Sequence, residues 1–233
     1  MNRMNRLSIV IPVLDEAPLI GAALQALAPL RRGGAEVVVV DGGSSDGTPA
    51  RAVGLADRIL AAPRGRGSQM NAGAAAASDD VLLFLHADTR LPAAADRLIR
   101  DALADGRPWG RFDVRIDGAS PWLGMVAWSM NQRSRLTGIA TGDQAIFSTR
   151  AAFEAVGGFP DLPLMEDLVF SRRMLRRARP ACLRAQMLTS GRRWEKHGMV
   201  RTIARMWWLR LRFFFGADPA RLAREYGYAP RDA

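Results

Sequence analysis

Five short segments of this 233-residue chain place carboxylates and small residues where a ligand could be gripped. Pro12-Val13-Leu14-Asp15-Glu16 ends one apolar run, Asp41-Gly42-Gly43-Ser44-Ser45-Asp46-Gly47-Thr48 ends a second, and His86-Ala87-Asp88 ends another. Gly142-Asp143-Gln144 and Met165-Glu166-Asp167 come later. In open α/β sheets, ligands sit at the carboxyl ends of the strands. Acids and glycine-rich turns at three such ends therefore read as one site along one sheet edge. Singly, each is weak. Asp46 reads equally well as a helix N-cap, and Glu166 with Asp167 as acids stabilising a helix N-terminus. The common nucleotide loops are missing: the only lysine, Lys196, follows Glu195, and Gly65-Arg66-Gly67 is followed by Met70 where a dinucleotide fingerprint needs glycine.

The elements that must position these residues alternate in type. Leu7 to Val13 and Glu36 to Val40 are β-branched apolar runs, the mark of strands buried on both faces of a parallel sheet. Between them, residues 16–30 carry Leu19, Ile20, Ala23, Leu24 and Leu27 at helical spacing, closed by Gly33-Gly34. Arg58 to Ala61 reads as a short strand, residues 68–77 as an Ala-rich helix, Asp80 to His86 as a strong strand and residues 93–104 as a helix. That order predicts an α/β fold with an open, mostly parallel sheet flanked by helices. Further on, Arg111 to Ile116 alternates like a half-exposed strand, and residues 121–136 read as helical. Gln144 to Thr149 reads as a strand, residues 150–156 and Asp167 to Arg179 as helices, and His197 to Phe215 as one long basic, aromatic helix.

Composition narrows the partners. The chain suits a soluble globular fold with a sizeable core, and its single cysteine, Cys182, excludes a disulfide framework or a Cys-rich zinc site. A reducing, cytoplasmic setting is expected. The N-terminal apolar run is too short for a signal-peptide core, and no uncharged apolar stretch reaches the ~20 residues of a simple bilayer-spanning helix. The net charge of +10 would suggest nucleic acid, but it is unevenly placed. Residues 1–170 hold 17 arginines against 19 acids, whereas residues 171–233 hold 16 basic residues against 4 acids. No nucleic-acid-binding module accompanies this charge, so no nucleic acid partner is expected.

The five motifs, in their order, resemble family 2 glycosyltransferases of the GT-A fold over roughly residues 7–175. The wording GGSSDGT, RGRGSQMNAG, FLHADT, GDQAIF and SGRRWE is also similar to a compact bacterial subgroup linked to arsenosugar biosynthesis. The resemblance implies a GT-A-like domain over residues 1–190 and a C-terminal helical extension, residues 191–233, packed on it. It implies sugar transfer from a nucleotide diphosphate sugar, with uracil as the expected base, to a small or lipid-linked acceptor. Pro12, Glu16, Asp41, Gly43 and Ser44 would line the donor pocket, Asp41 accepting a hydrogen bond from the base. Arg64 or Arg66, with Asn71, would reach the pyrophosphate; the alternative for the arginines is a solvated loop.

Charge on the departing diphosphate calls for Mn²⁺ or Mg²⁺. Asp88 matches the last aspartate of the family's DXD motif, and His86 replaces its first, either as a ligand or as a strand-end residue. Asp167, after Glu166, matches the catalytic base that takes the acceptor's proton. No second carboxylate matches a nucleophile, so inversion is implied. Asp143, Gln144 and Trp194 would lie toward the acceptor, and Arg193 would pair with phosphate. Arg193-Trp194 follow Ser190 where processive synthases carry glutamine, so a non-processive enzyme is expected.

Residues 197–215 leave three readings open: an anionic membrane surface, packing on the core, or a homodimer contact. The location that follows is cytoplasmic, with peripheral attachment to the inner face of the membrane as the variant. A polyprenyl-phosphate sugar transferase at the membrane surface is the nearest rival function. A non-catalytic nucleotide-sugar- or anion-binding protein of the same fold is the more distant one.

Overall fold

The computed structural model describes residues 6–192, 194 and 198–228. Strand β1 (Leu7–Val13) and strand β2 (Glu36–Asp41) pair in parallel, with Val13 opposite Asp41. Their uniform apolarity has a simple cause. Leu7, Ile9, Ile11 and Val13 point into a core on one face of the sheet, together with Val37 and Val39. Val10, Val38 and Val40 point into a second core on the other face. Helices α1 (Ala17–Ala26) and α2 (Ala28–Arg32) connect the two strands. The sequence pattern reads as one helix there. Pro29, which has no N–H to donate, lies in the first turn of α2, and the break falls at Leu27.

Helix α3 (Thr48–Ala52) and strand β3 (Arg58–Ala61) follow. Helix α4 (Arg66–Ala76) then lies on β1 and β2 so closely that a Cβ at Gly73 would stand 2.3 Å from Val10 Cγ1. Strands β4 (Val81–Phe84) and β5 (Thr89–Arg90) flank the His86-Ala87-Asp88 turn, and helix α5 (Ala95–Ala104) follows. The remaining elements are strand β6 (Trp109–Asp117), helix α6 (Leu123–Thr137), strand β7 (Phe147–Thr149), helices α7 (Arg150–Ala155) and α8 (Glu166–Leu175), strand β8 (Ala181–Ser190), and helices α9 (Met199–Phe214) and α10 (Pro219–Tyr226). The strands form one sheet in the order β3-β2-β1-β4-β7-β6-β8-β5. β3, β2, β1 and β4 run parallel, β7 is antiparallel to β4 and β6, and β6 and β8 are parallel to each other.

Three expectations change. β6 is not half-exposed: Arg111 and Asp113 alternate with its apolar residues yet are buried, because they form an ion pair beneath α6. Gln144 belongs to a 3₁₀ turn, Gly142–Gln144, rather than to β7. β8 has no counterpart in the sequence reading, since ACLRAQMLTS alternates poorly and is only partly buried. It nonetheless carries Thr189 and Ser190 alongside the turn that holds Asp88.

At the C-terminus, α9 and α10 bury Leu209, Leu222 and Ala223 against Leu164 and Met165. Asp218 caps α10 by accepting bonds from Ala220 N and Arg221 N at 3.1 Å, and Arg212 of α9 pairs with Glu225 of α10. Of the aromatic residues of α9, Phe213 packs against this cluster, and the others stand out from it. Trp207, Trp208, Phe214 and Phe215 are between 58% and 76% exposed. Among the described residues, no helix is long and apolar enough to cross a membrane.

Candidate functional site

A cavity of about 650 Å³ opens at the carboxyl ends of β1 and β4. Its shape rests on hydrogen bonds between neighbouring turns. Asp15 N donates to Ser44 Oγ at 2.9 Å and Ser45 N donates back to Asp15 Oδ1 at 2.8 Å. Glu16 N donates to Thr48 Oγ1, and Asp46 accepts from both Thr48 N and Ala17 N, so it serves the starts of two helices. Gln69 lies across the end of the sheet, its Nε2 donating to Val13 O and Val40 O at 2.8 Å each. A Cβ at Gly42 would press on that amide at 3.0–3.1 Å, which accounts for the glycine.

Non-glycine residues with positive φ concentrate beside the site: Asp15 (53°), Ala145 (47°) and Met165 (69°), with Ala94 (54°) the other such case among the described residues. Backbone of this kind persists only where its surroundings enforce it.

The cavity brings together Pro12, Glu16, Arg64, Arg66, His86, Asp88, Asp143, Glu166, Asp167 and Trp194 from the expected set. Asp167 reaches out of its own helix. Its Oδ2 accepts from Gly142 N at 2.9 Å while Oδ1 accepts from Leu168 N at 2.7 Å. A residue that only neutralised a helix terminus would need no bond to a turn 25 residues away. The His86 ring packs on the same turn: a Cβ at Gly142 would lie 2.8 Å from its Cε1 and Nε2, and its Nδ1 stands 3.4 Å from Asp143 Oδ1. The imidazole thus packs against the Gly142-Asp143 turn while His86 also lines the cavity.

Glu166 is nearly inaccessible at 6% exposure. Burial first, then the charge of Asp167, pushes its carboxyl up to about 7, against Arg66 and His86. Because the folded value lies above the ordinary one, this group's contribution to stability is complete below about pH 4.5 and is lost as pH rises through about 7. Glu166→Gln is always neutral. In the ligand-free chain it should melt with wild type near pH ~4 and above it at pH ~8, as followed by thermal unfolding. An equal difference at both pH values would exclude ionisation of Glu166 as the cause.

Other residues take different parts from those expected. Asp41 accepts from Gly43 N, Ser44 N and Ser44 Oγ, so three of its roughly four acceptor directions serve its own turn. Neither Asp41, Gly43 nor Ser44 lines the cavity. Asn71 is occupied by Phe159, donating to its O at 2.8 Å and accepting from its N at 3.0 Å. Gln144 is fully buried, where it closes a capping box with Thr141 and cannot touch an acceptor. Arg193 lies outside the described residues. Its neighbour Arg192 lines the cavity and acts electrostatically on Glu16.

Sequence reasoning missed Gln69, Arg192, Arg210, Tyr226 and Tyr228. Tyr226 ends α10, which no motif announces, Tyr228 follows it, and Arg66 lies 5.5 Å over the Tyr228 ring.

The donor set can be tested for a metal. Among the described residues, no three His, Cys, Asp or Glu side chains converge as a metal cage. Asp88 lies near Glu16, whose carboxyl is raised by burial and then by Asp88. One or two carboxylates at a cavity mouth suit a divalent ion that takes its other ligands from phosphate and water. In that sense the residues fit.

Comparisons with known proteins agree with this architecture. Residues 8–153 match the family described as Glycosyl transferase family 2. A glucosyl-3-phosphoglycerate synthase from Mycolicibacterium paratuberculosis (strain ATCC BAA-968 / K-10) is 32% identical over 92 residues, covering 35% of this chain and 28% of that protein. The chain therefore spans under a third of that relative's length. Among solved structures, glucosyl-3-phosphoglycerate synthase from Mycobacterium tuberculosis, in complex with Mn²⁺, uridine diphosphate and glucosyl-3-phosphoglycerate, matches with a TM-score of 0.54 and 20% identity, over 78% of this chain and 70% of that one. A mannosyltransferase from Pyrobaculum calidifontis, in complex with GDP-Man and Mn²⁺, matches with a TM-score of 0.58 and 22% identity, over 78% and 56%. Identities this low speak for the GT-A fold alone. The match over residues 8–153 runs from β1 through the His86-Ala87-Asp88 and Gly142-Asp143-Gln144 turns, and on it the chain belongs to glycosyl transferase family 2.

Proposed function

We propose that the chain transfers a sugar from a nucleotide diphosphate sugar, with uracil as the favoured base, to an acceptor in the same cavity, with inversion and one residue at a time. The reading rests on Asp167, whose Oδ2 reaches across to Gly142 N while Oδ1 stays with its own helix at Leu168 N. Asp167 takes the acceptor hydroxyl's proton as that oxygen attacks the anomeric carbon. Pro12, Glu16 and Gln69 shape the donor end, and Arg66 and Arg192 face the diphosphate. His86 holds the Gly142-Asp143 turn, and Trp194 borders the acceptor. A Mn²⁺ or Mg²⁺ ion, held through Asp88, would offset the charge of the departing diphosphate. The Mn²⁺ and nucleotide complexes of the structural neighbours support that choice.

Calorimetric titration with a panel of nucleotide sugars, with and without Mn²⁺, tests the reading. Metal-dependent binding of at least one donor is expected, and binding of none would overturn it. One observation favours a lipid-linked acceptor at an anionic membrane: the exposed tryptophans and phenylalanines of α9 alternate with arginines, as in helices that lie at a bilayer surface. Co-sedimentation with anionic vesicles, using the chain with and without residues 197–233, separates that acceptor from a soluble one.

A further inference from the structure

The turn after helix α10 brings Tyr228 back to the cavity. Gly227 takes φ 92°, a left-handed conformation that glycine adopts without strain. Its N donates to Arg224 O and Tyr228 N donates to Ala223 O, each at 3.0 Å, the paired bonds of a Schellman turn. The chain reverses there, and Tyr228 packs against the cluster of Leu164, Met165 and Leu222. Arg66, the first residue of α4, lies over its ring at 5.5 Å from the centroid, and both residues line the cavity. The Tyr226 ring meets the Tyr228 ring edge-on at 5.3 Å, so the platform under Arg66 is itself supported.

Among the described residues, Arg66 forms no hydrogen bond or ion pair, and the ring is what orders it. The phenol oxygen takes no part, being buried without a hydrogen bond of its own. Stacking occupies the face of a guanidinium and leaves the N–H groups in its plane for an oxyanion. The dipole of α4 favours an anion at the same place, because Arg66 begins that helix. A long arginine side chain loses rotamer freedom when it grips a ligand, and ordering it beforehand lowers that cost.

We propose that Tyr228 is a positioning residue of the donor end, its ring holding the Arg66 guanidinium ready for the diphosphate. This deepens the transfer reading above and rests on it for the identity of the anion as a nucleotide's diphosphate. It also makes the turn after α10, far outside the family match over residues 8–153, part of the donor site.

The test is calorimetry with two ligands, UDP and inorganic pyrophosphate, each with Mg²⁺. Tyr228→Ala is expected to weaken both by about tenfold, the scale of a desolvated cation–π contact. Tyr228→Phe keeps the ring and loses only the unbonded hydroxyl, so it should bind within about twofold of wild type. A double-mutant cycle separates positioning from a general loosening of α10. In an Arg66→Met background, Tyr228→Ala should cause no further loss, because the ring then has no guanidinium to hold.

Equal binding by wild type and Tyr228→Ala overturns the proposal, as does a full additional loss in the Arg66→Met background. So does a Tyr228→Phe variant as weak as Tyr228→Ala. The two readings fail in different ways. UDP binding that ignores Tyr228 removes the positioning role and leaves the donor reading intact. Pyrophosphate binding that depends on Tyr228, without UDP binding, keeps the arginine–tyrosine pair as an anion site and removes the nucleotide. Binding of neither ligand overturns both.

Discussion

Replacing Asp167 by asparagine is expected to leave donor binding unchanged and to lower the rate of sugar transfer by about 10²–10⁴-fold, the usual contribution of a positioned general base. The substitution is nearly isosteric. The amide oxygen can still accept from Gly142 N or Leu168 N, so the turn and the start of α8 should keep their geometry. What is lost is the ability to take a proton as the acceptor oxygen attacks. Because the donor end of the cavity is built from β1, β4 and α4, its affinity for a nucleotide should not register the change. Single-turnover transfer and donor calorimetry on the same preparation decide the matter. A variant with wild-type turnover would remove Asp167 from the mechanism, and one that lost donor affinity in parallel would place it in the donor site. Glu166 cannot easily replace it, because that carboxyl is almost wholly buried.

How far the site could be read in advance depended on the kind of residue. Strands buried on both faces announce themselves through uniform apolarity, as β1 and β2 do, and the acids at their ends are then placed at one edge by topology alone. Polar residues are harder, because a buried amide serving the backbone looks the same in sequence as one awaiting a substrate. Asn71 and Gln144 were expected at the ligand. The structure ties the first to Phe159 and the second to the Thr141 cap. Gln69, unremarked in the sequence, lines the cavity while holding β1 to β2.

Arginines are harder still in a chain with 33 basic residues. Nothing local distinguishes Arg111, which is enclosed in an ion pair, from Arg133, whose Nε and Nη2 are buried without a hydrogen bond. β8 escaped because a strand paired on both edges yet half-open on its faces needs neither strict alternation nor a continuous apolar run. Each of these failures concerns which side chain finds which partner across tens of residues, a property of tertiary packing rather than of local pattern.

The interior beneath α6 should respond to substitution as strongly as the site itself. Asp113→Ala is expected to lower the free energy of unfolding by about 3–5 kcal/mol, the range for breaking a buried ion pair by removing one partner. Asp113 receives Arg111 on one oxygen and Arg135 on the other, and the Arg111 side chain is fully buried. Truncation leaves that guanidinium with Ser134 Oγ and Asn131 O, neutral acceptors that cannot offset its charge. The same layer carries Asn131, which bonds both N and O of Val114 on β6.

Urea unfolding followed by circular dichroism measures the loss directly. A change under about 1 kcal/mol would mean that water reaches Arg111 when Asp113 is gone. The double substitution Arg111→Met with Asp113→Leu supplies the converse. With both charges replaced by apolar groups of similar size, most of the lost stability should return, since the penalty belongs to the uncompensated charge and not to the missing bond.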